Sequence, residues 1–168
     1  MAPDLRFEFV ADKSRSTVTV TREFNAQRQL VWDCYTKSEL LDQWFAPKPL
    51  TTRTRHMDFR EGGYWHFAMM TPDNQVFWNR LDYKTINPID GYTARDGFCD
   101  EAGVVNPDLP GSDQEVSFTD QDTRTVVTTI VQYASAESLQ AAVDMGLEGG
   151  IASTLERLDE LLPTLQVG

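Results

Sequence analysis

The sequence predicts an α+β fold in which a curved antiparallel sheet wraps one long C-terminal helix, with two short helices after the first strand. Three observations predict it. Strand-like segments follow one another through the middle of the chain, joined by turns rich in Gly, Pro, Asn and Asp. Two short helical segments interrupt them once, early in the chain. One long amphipathic segment closes it.

Residues 1–16 are mixed and polar, with apolar Leu5, Phe7, Phe9 and Val10, and are expected to form an arm or a leading strand segment. Residues 17–163 form the expected single domain, and 164–168 a tail. Thr17 to Phe24 (TVTVTREF) alternates β-branched residues and reads as a strand. Gln27 to Tyr35 places Leu30, Val31 and Cys34 at helical spacing. Ser38 to Trp44 is a second short helix with Ser38 as its N-cap, stopped by Pro47 and Pro49. Thr51 to Phe59 and Tyr64 to Met70 are strands joined at Gly62-Gly63, where positive φ carries no steric cost. Val76 to Ile86 and Tyr92 to Cys99 are strands, and Asp100 to Asp113, with Pro107 and Pro110, is a loop. Glu115 to Thr119 and Thr125 to Tyr133 close the sheet as a hairpin. Ser135 caps a helix running to about Leu162, which Pro163 ends.

A chain of 168 residues suits one domain. At that size folding buries roughly 70% of the unfolded surface, enough without a disulfide or metal. The net charge of -11 opposes nucleic acid and anionic membrane surfaces, whose affinity comes from Lys and Arg. Cys34 and Cys99 stand alone, with no CxxC or Cys/His cluster, so neither a zinc site nor a redox motif is indicated. Two lone thiols and no signal-peptide pattern point to the cytoplasm. No apolar run is long enough to cross a bilayer.

Between sheet and helix the space is either filled by side chains or left for a ligand. Trp65, Phe67 and Met69 alternate onto one strand face, and with Phe59, Leu81, Tyr83, Phe98 and Phe118 they supply an apolar, aromatic lining. Asn79 would share that face as a polar anchor, and Trp44 would stand at its edge. On the last helix Leu139, Val143, Leu147, Leu158 and Leu161 share a side with the small residues Gly146, Gly150 and Thr154. Glycine in a helix interior costs about 1 kcal/mol against alanine, so Gly146, Gly149 and Gly150 require a reason. That reason is either a gap left for a ligand or close packing on Trp65 or Trp78.

Three segments resemble a known family: TREFNAQRQLVWDCYTKSELLDQWFAP (21–47), MDFREGGYWHFAMMTPDNQ (57–75) and SAESLQAAVDMGLEGGIASTLERLDELL (135–162). In order and at this spacing they are similar to the activator of ninety-kilodalton heat-shock-protein ATPase homologue-like family of the START-like, birch-pollen-allergen-like superfamily. The resemblance spans Thr17 to Leu162 and implies a helix-grip fold. That superfamily holds carriers of lipids and other hydrophobic ligands, polyketide cyclases and aromatases, and co-chaperone domains. The chain departs from the family pattern at Trp44-Phe45-Ala46, where Trp-Trp-Gly is common, and at Gly150-Ile151, where Gly-Trp is common. The Asn/Trp-rich motif of the eukaryotic co-chaperone is not seen, which weighs against a chaperone partner.

Catalytic groups are sparse. His56 and His66 are the two histidines, and His66 faces away from Trp65 and Phe67. No GxSxG, HExxH, P-loop or GxGxxG pattern occurs. Asp82, Asp96 and Glu61 would serve as acid or base only if buried. Arg80 and Arg95 would either clamp an acidic head group or pair with Asp82 and Asp96. The favoured expectation is a module binding a small hydrophobic molecule, lipid or polyketide-like, in an internal cavity, without cofactor or metal. The alternatives are a cyclase- or aromatase-type enzyme using the same cavity, and a protein-interaction domain with an exposed apolar patch around Trp44, Phe45 and Trp78. A homodimer is compatible with all three.

Overall fold

Alternation along the chain builds one eight-stranded sheet. The computed structural model describes residues 5–166, so the first four residues of the expected arm and the last two of the tail lie outside it. The strands are β1 (Phe7–Asp12), β2 (Thr17–Phe24), β3 (Thr51–Met57), β4 (Tyr64–Met70), β5 (Val76–Asn87), β6 (Gly91–Phe98), β7 (Ser112–Gln121) and β8 (Arg124–Gln132). Their spatial order is β1-β2-β8-β7-β6-β5-β4-β3, and every neighbouring pair is antiparallel. The leading segment is therefore a strand, pairing Phe7 with Arg22 and Phe9 with Val20.

The register gives the sheet two chemically distinct faces. Val18, Val20, Phe24, Trp65, Phe67, Leu81, Tyr83, Tyr92, Val116, Phe118 and Val127 all point to the concave side and form the core. Lys84, Thr93, Asp113 and Glu115 point to the convex side.

The helices α1 (Arg28–Thr36) and α2 (Ser38–Trp44) follow β2, with only Lys37 between them. Lys37 is extended and is the N-cap of α2, so Ser38 is the first helical residue rather than the expected cap. Val31, Trp32, Cys34 and Tyr35 face the core, and α1 packs on β7 and β8.

The expected single C-terminal helix is two helices, α3 (Ala136–Asp144) and α4 (Leu147–Leu165). Ser135 Oγ accepts the Ser138 amide at 3.0 Å and starts α3 as expected. Gly146 breaks the run: its φ of 93° is left-handed, a conformation glycine adopts without clash. Pro163 does not end the helix but sits within its last turn. Two contacts hold α4 across the concave face. Arg157 donates to the Ala46 and Leu50 carbonyls at 2.6 and 2.7 Å, and Asp159 lies 3.8 Å from Arg22 of β2.

After β6 the chain folds back over the convex face. His66 is only 3% exposed there, with its Nε2 3.1 Å from the Asp100 carbonyl. Arg80 donates to the Gly103 carbonyl at 3.1 Å, and Cys99 bridges to Val105. The expected loop is shorter than read, because β7 begins at Ser112.

Candidate functional site on the concave face

Cross-strand pairing assembles the site. Trp65 stands opposite Leu81, Leu81 opposite Asp96, and Asp96 opposite Ser112. The next row sets Phe67 opposite Asn79 and Asn79 opposite Phe98. Met69 stands opposite Phe77 at the end of β4. Nearly all the strand positions expected to line a cavity thus share the concave face.

The aromatic side chains form a continuous belt. Trp65 and Phe67 stack at 3.8 Å, and Phe45 meets Trp65 edge-on at 5.1 Å. The belt continues through Trp44, Tyr35, Phe118, Trp32, Phe59 and Tyr83, each ring 4.8–5.7 Å from the next. Such edge-to-face pairs add about 0.5–1.5 kcal/mol each beyond burial. The belt occupies the centre of the clasp, and burial pushes the Tyr35, Tyr83 and Tyr92 hydroxyls well above their ordinary range.

At one end the wall opens. Phe77 and Phe98 are 49% and 43% exposed although both stand on the concave side, and Met145 at the α3–α4 junction is 88% exposed. A methyl group added at Gly149 or Gly150 would meet no atom within 4 Å. Ser153, next to them on the same flank of α4, accepts the Lys48 amide at 3.0 Å. That contact ties α4 to the segment that leads into β3. Two shallow depressions elsewhere, of about 230 and 270 Å³, lie on the convex face by Lys84 and Glu115 and between α2 and α4 by Lys48 and Arg157.

Asp96 is a buried carboxylate on this face. Its Oδ1 accepts the Ser112 amide and hydroxyl, both at 2.8 Å, and its Oδ2 accepts Gln114 Nε2 at 2.8 Å. Burial nevertheless pushes the carboxyl above its ordinary range, because lost hydration outweighs those donors. Tyr133 follows Ser112 in the same row, one step beyond the Asp113–Gln132 pair. Burial, and then the Asp96 charge, raise its hydroxyl.

Residues 25–163 match the family described as Activator of Hsp90 ATPase homolog 1-like protein. The chain belongs to that family. Solved structures agree with the assignment over nearly its whole length. Protein Ms6760 from Mycobacterium smegmatis is 30% identical, over 94% of this chain and 96% of that one, with a TM-score of 0.84. A protein from Arthrobacter aurescens is 25% identical over 94% and 91% with a TM-score of 0.87, and one from Staphylococcus epidermidis is 27% identical over 95% and 96% at 0.83. A search of the curated proteins finds no match.

In this family member the remaining expected residues fall as follows. Trp44 is 1% exposed, its Nε1 donating to the Cys34 carbonyl at 3.0 Å, so it is a buried strut. Trp78 is half-buried on the convex face against His66, and no exposed patch forms around Trp44, Phe45 and Trp78. Gly146 is exposed at the helix break, Gly150 is half-buried in α4 with open space around it, and the Thr154 hydroxyl is spent on the Gly150 carbonyl. The open space at Gly149 and Gly150 rules out close packing on Trp65 or Trp78 as their reason. Arg80 pairs with Asp82 at 2.9 Å and Arg95 with Asp113 at 3.2 Å, both directed away from the concave face. No group of three or more His, Cys, Asp or Glu side chains is placed to hold a metal among the described residues. No helix among them is long and apolar enough to cross a membrane.

Sequence reasoning missed Trp32 and Tyr35 of the belt, Tyr92 packed edge-on against Trp32, Phe59 and Tyr83, and Ser112, Gln114 and Tyr133 around Asp96. The alternation Tyr92, Ala94, Asp96, Phe98 was the signal that places Asp96 on the face of Phe98.

Proposed function

We propose that this protein binds a small hydrophobic molecule between the concave face and α4, admitting it at the rim of Met69, Phe77 and Phe98. One observation carries the reading: the aromatic wall of the concave face runs out to Phe77 and Phe98, whose rings are exposed although they stand on the concave side. Rings left in water at the end of a buried apolar wall are a surface a ligand can cover. Free Cys34 and Cys99 suit a reducing compartment such as the cytoplasm.

The test is thermal unfolding against a panel of lipids and polycyclic aromatics. A ligand at about a hundred times its Kd stabilises by ~2.7 kcal/mol. In a domain of this size that raises Tm by roughly 5–10 °C. Phe77→Ser and Phe98→Ser should weaken the shift. A panel producing no shift refutes the reading.

A second reading rests on Asp96. Cyclase- or aromatase-type chemistry needs a titratable group within reach of the bound molecule, and the presence of Asp96 on the concave face, with Tyr133 near enough to sense its charge, supports this reading. Turnover of an aromatic polyketide analogue that Asp96→Asn abolishes would establish it. Unchanged analogue after prolonged incubation with binding confirmed leaves the protein a carrier.

A further inference from the structure

The concave face carries a polar niche at Asp96 beside the exposed end of its aromatic wall, and its chemistry restricts what can be held there. We propose that Asp96, with Ser112, Gln114 and Tyr133, receives the polar end of the bound molecule, and that this end is a neutral hydrogen-bond donor, a phenol or alcohol, rather than a carboxylate or phosphate. The inference rests on the binding reading above and narrows it to a ligand class.

The geometry gives three reasons. First, Asp96 is an acceptor with capacity to spare. An ionised carboxylate offers about four acceptor positions. Ser112 fills two of them through Oδ1, and Gln114 fills one through Oδ2, so one position on Oδ2 remains for an incoming donor. Second, the cations that would welcome an acidic head group are committed elsewhere. Arg22, which shares the concave face, is held by the Glu23 carbonyl at 2.6 Å and faces Asp159, with its guanidinium over the Phe24 ring. Arg157 is spent on the Ala46 and Leu50 carbonyls. Arg95 is the neighbour of Asp96 in sequence, but alternation sends it to the convex face, where it pairs with Asp113. An acid placed beside Asp96 would therefore meet a like charge with no compensating cation, which is unfavourable in a site of reduced polarity.

Third, the niche stands where the apolar wall needs a polar end. Asp96 follows Trp65 and Leu81 in one cross-strand row, and Phe98 lies two residues along β6 on the same face. A molecule with its body against the exposed ring of Phe98 brings its end to Asp96, two residues back along β6 on the same face. The Tyr133 hydroxyl can donate to that end while the end donates to Asp96, so a phenol or alcohol oxygen satisfies both groups.

The experiment compares matched chains by calorimetry and thermal shift on the full-length protein: 4-nonylphenol and dodecanol against dodecanoate at neutral pH. The phenol and alcohol are expected to bind and dodecanoate to bind about tenfold or more weakly, the scale of a hydrogen bond to a charged group. Asp96→Asn should narrow that preference by admitting dodecanoate, and Tyr133→Phe should weaken the phenol and alcohol while leaving dodecanoate unchanged. Both variants are isosteric, and cooperative unfolding confirms that they are folded. Dodecanoate binding as well as dodecanol, or a preference unchanged in both variants, overturns the niche assignment and leaves the binding reading standing. Binding of none of the three overturns both.

Discussion

At Asp96 two opposing effects act on one carboxyl, and the sign of the result is measurable. Three hydrogen bonds favour the charged form, while burial disfavours it and prevails. The folded chain therefore holds this proton more tightly than the unfolded chain does. The contribution to stability is fully present below the ordinary carboxylate pKa of about 3.9 and is lost as pH rises through the higher folded value. Asn in its place keeps the shape and never ionises, and Gln114 can turn its amide to match. Asp96→Asn should therefore gain on the native chain as pH rises. Urea midpoints at about pH 4 and about pH 7 check this, with the difference in favour of the variant growing towards neutrality. A difference that shrinks would mean that the hydrogen bonds, not burial, dominate at this carboxyl.

At the scale of elements, three glycines in one stretch of α3–α4 have different reasons to be there. Gly146 needs its left-handed backbone to turn the chain between the helices, and any side chain there is strained. Gly149 and Gly150 have ordinary helical geometry and open space around them. Gly146→Ala should therefore lower stability by about 1–2 kcal/mol. Gly149→Ala and Gly150→Ala should each raise it by up to about 1 kcal/mol through helix propensity. Denaturant midpoints of the three variants separate the roles. The contrast also shows what was legible beforehand. Strand segments such as TVTVTREF declared themselves by alternation, and the concave stripe of Trp65, Phe67 and Met69 followed from the same period. The helix break stayed hidden because Val143 and Leu147 keep helical spacing across it, and both still pack on the core. The start of β7 stayed hidden because Ser112 and Gln114 are polar residues on a core-facing side, which patterning reads as loop. They are there because Asp96 needs donors, a tertiary fact with no local signal. The aromatic partners on α1 were legible only in part, since Trp32 and Tyr35 flank the apolar residues that mark its buried face.

For the whole molecule, the dominant electrostatic fact is an excess of acid, a net charge of -11. The described ion pairs are mostly exposed, as with Arg6–Glu8, Lys48–Glu160 and Lys84–Asp113. Pairs of that kind contribute about 0–1 kcal/mol each and weaken with salt. The two ties that hold α4 over the sheet are less sensitive. Arg157 grips carbonyl oxygens, and the Arg22 side chain facing Asp159 is largely shielded from solvent. Salt therefore has little attraction to remove but considerable repulsion to screen, over a Debye length of about 10 Å at 0.1 M. Raising sodium chloride from about 20 mM to about 300 mM should shift the urea midpoint upward, opposite to a fold held by surface ion pairs. Arg157→Ala should lower the midpoint by a similar amount at both salt concentrations, because its carbonyl contacts are not an ion pair. If the salt shift is downward, exposed pairs outweigh the net repulsion, and the clasp of helix on sheet is more electrostatic than its contacts imply.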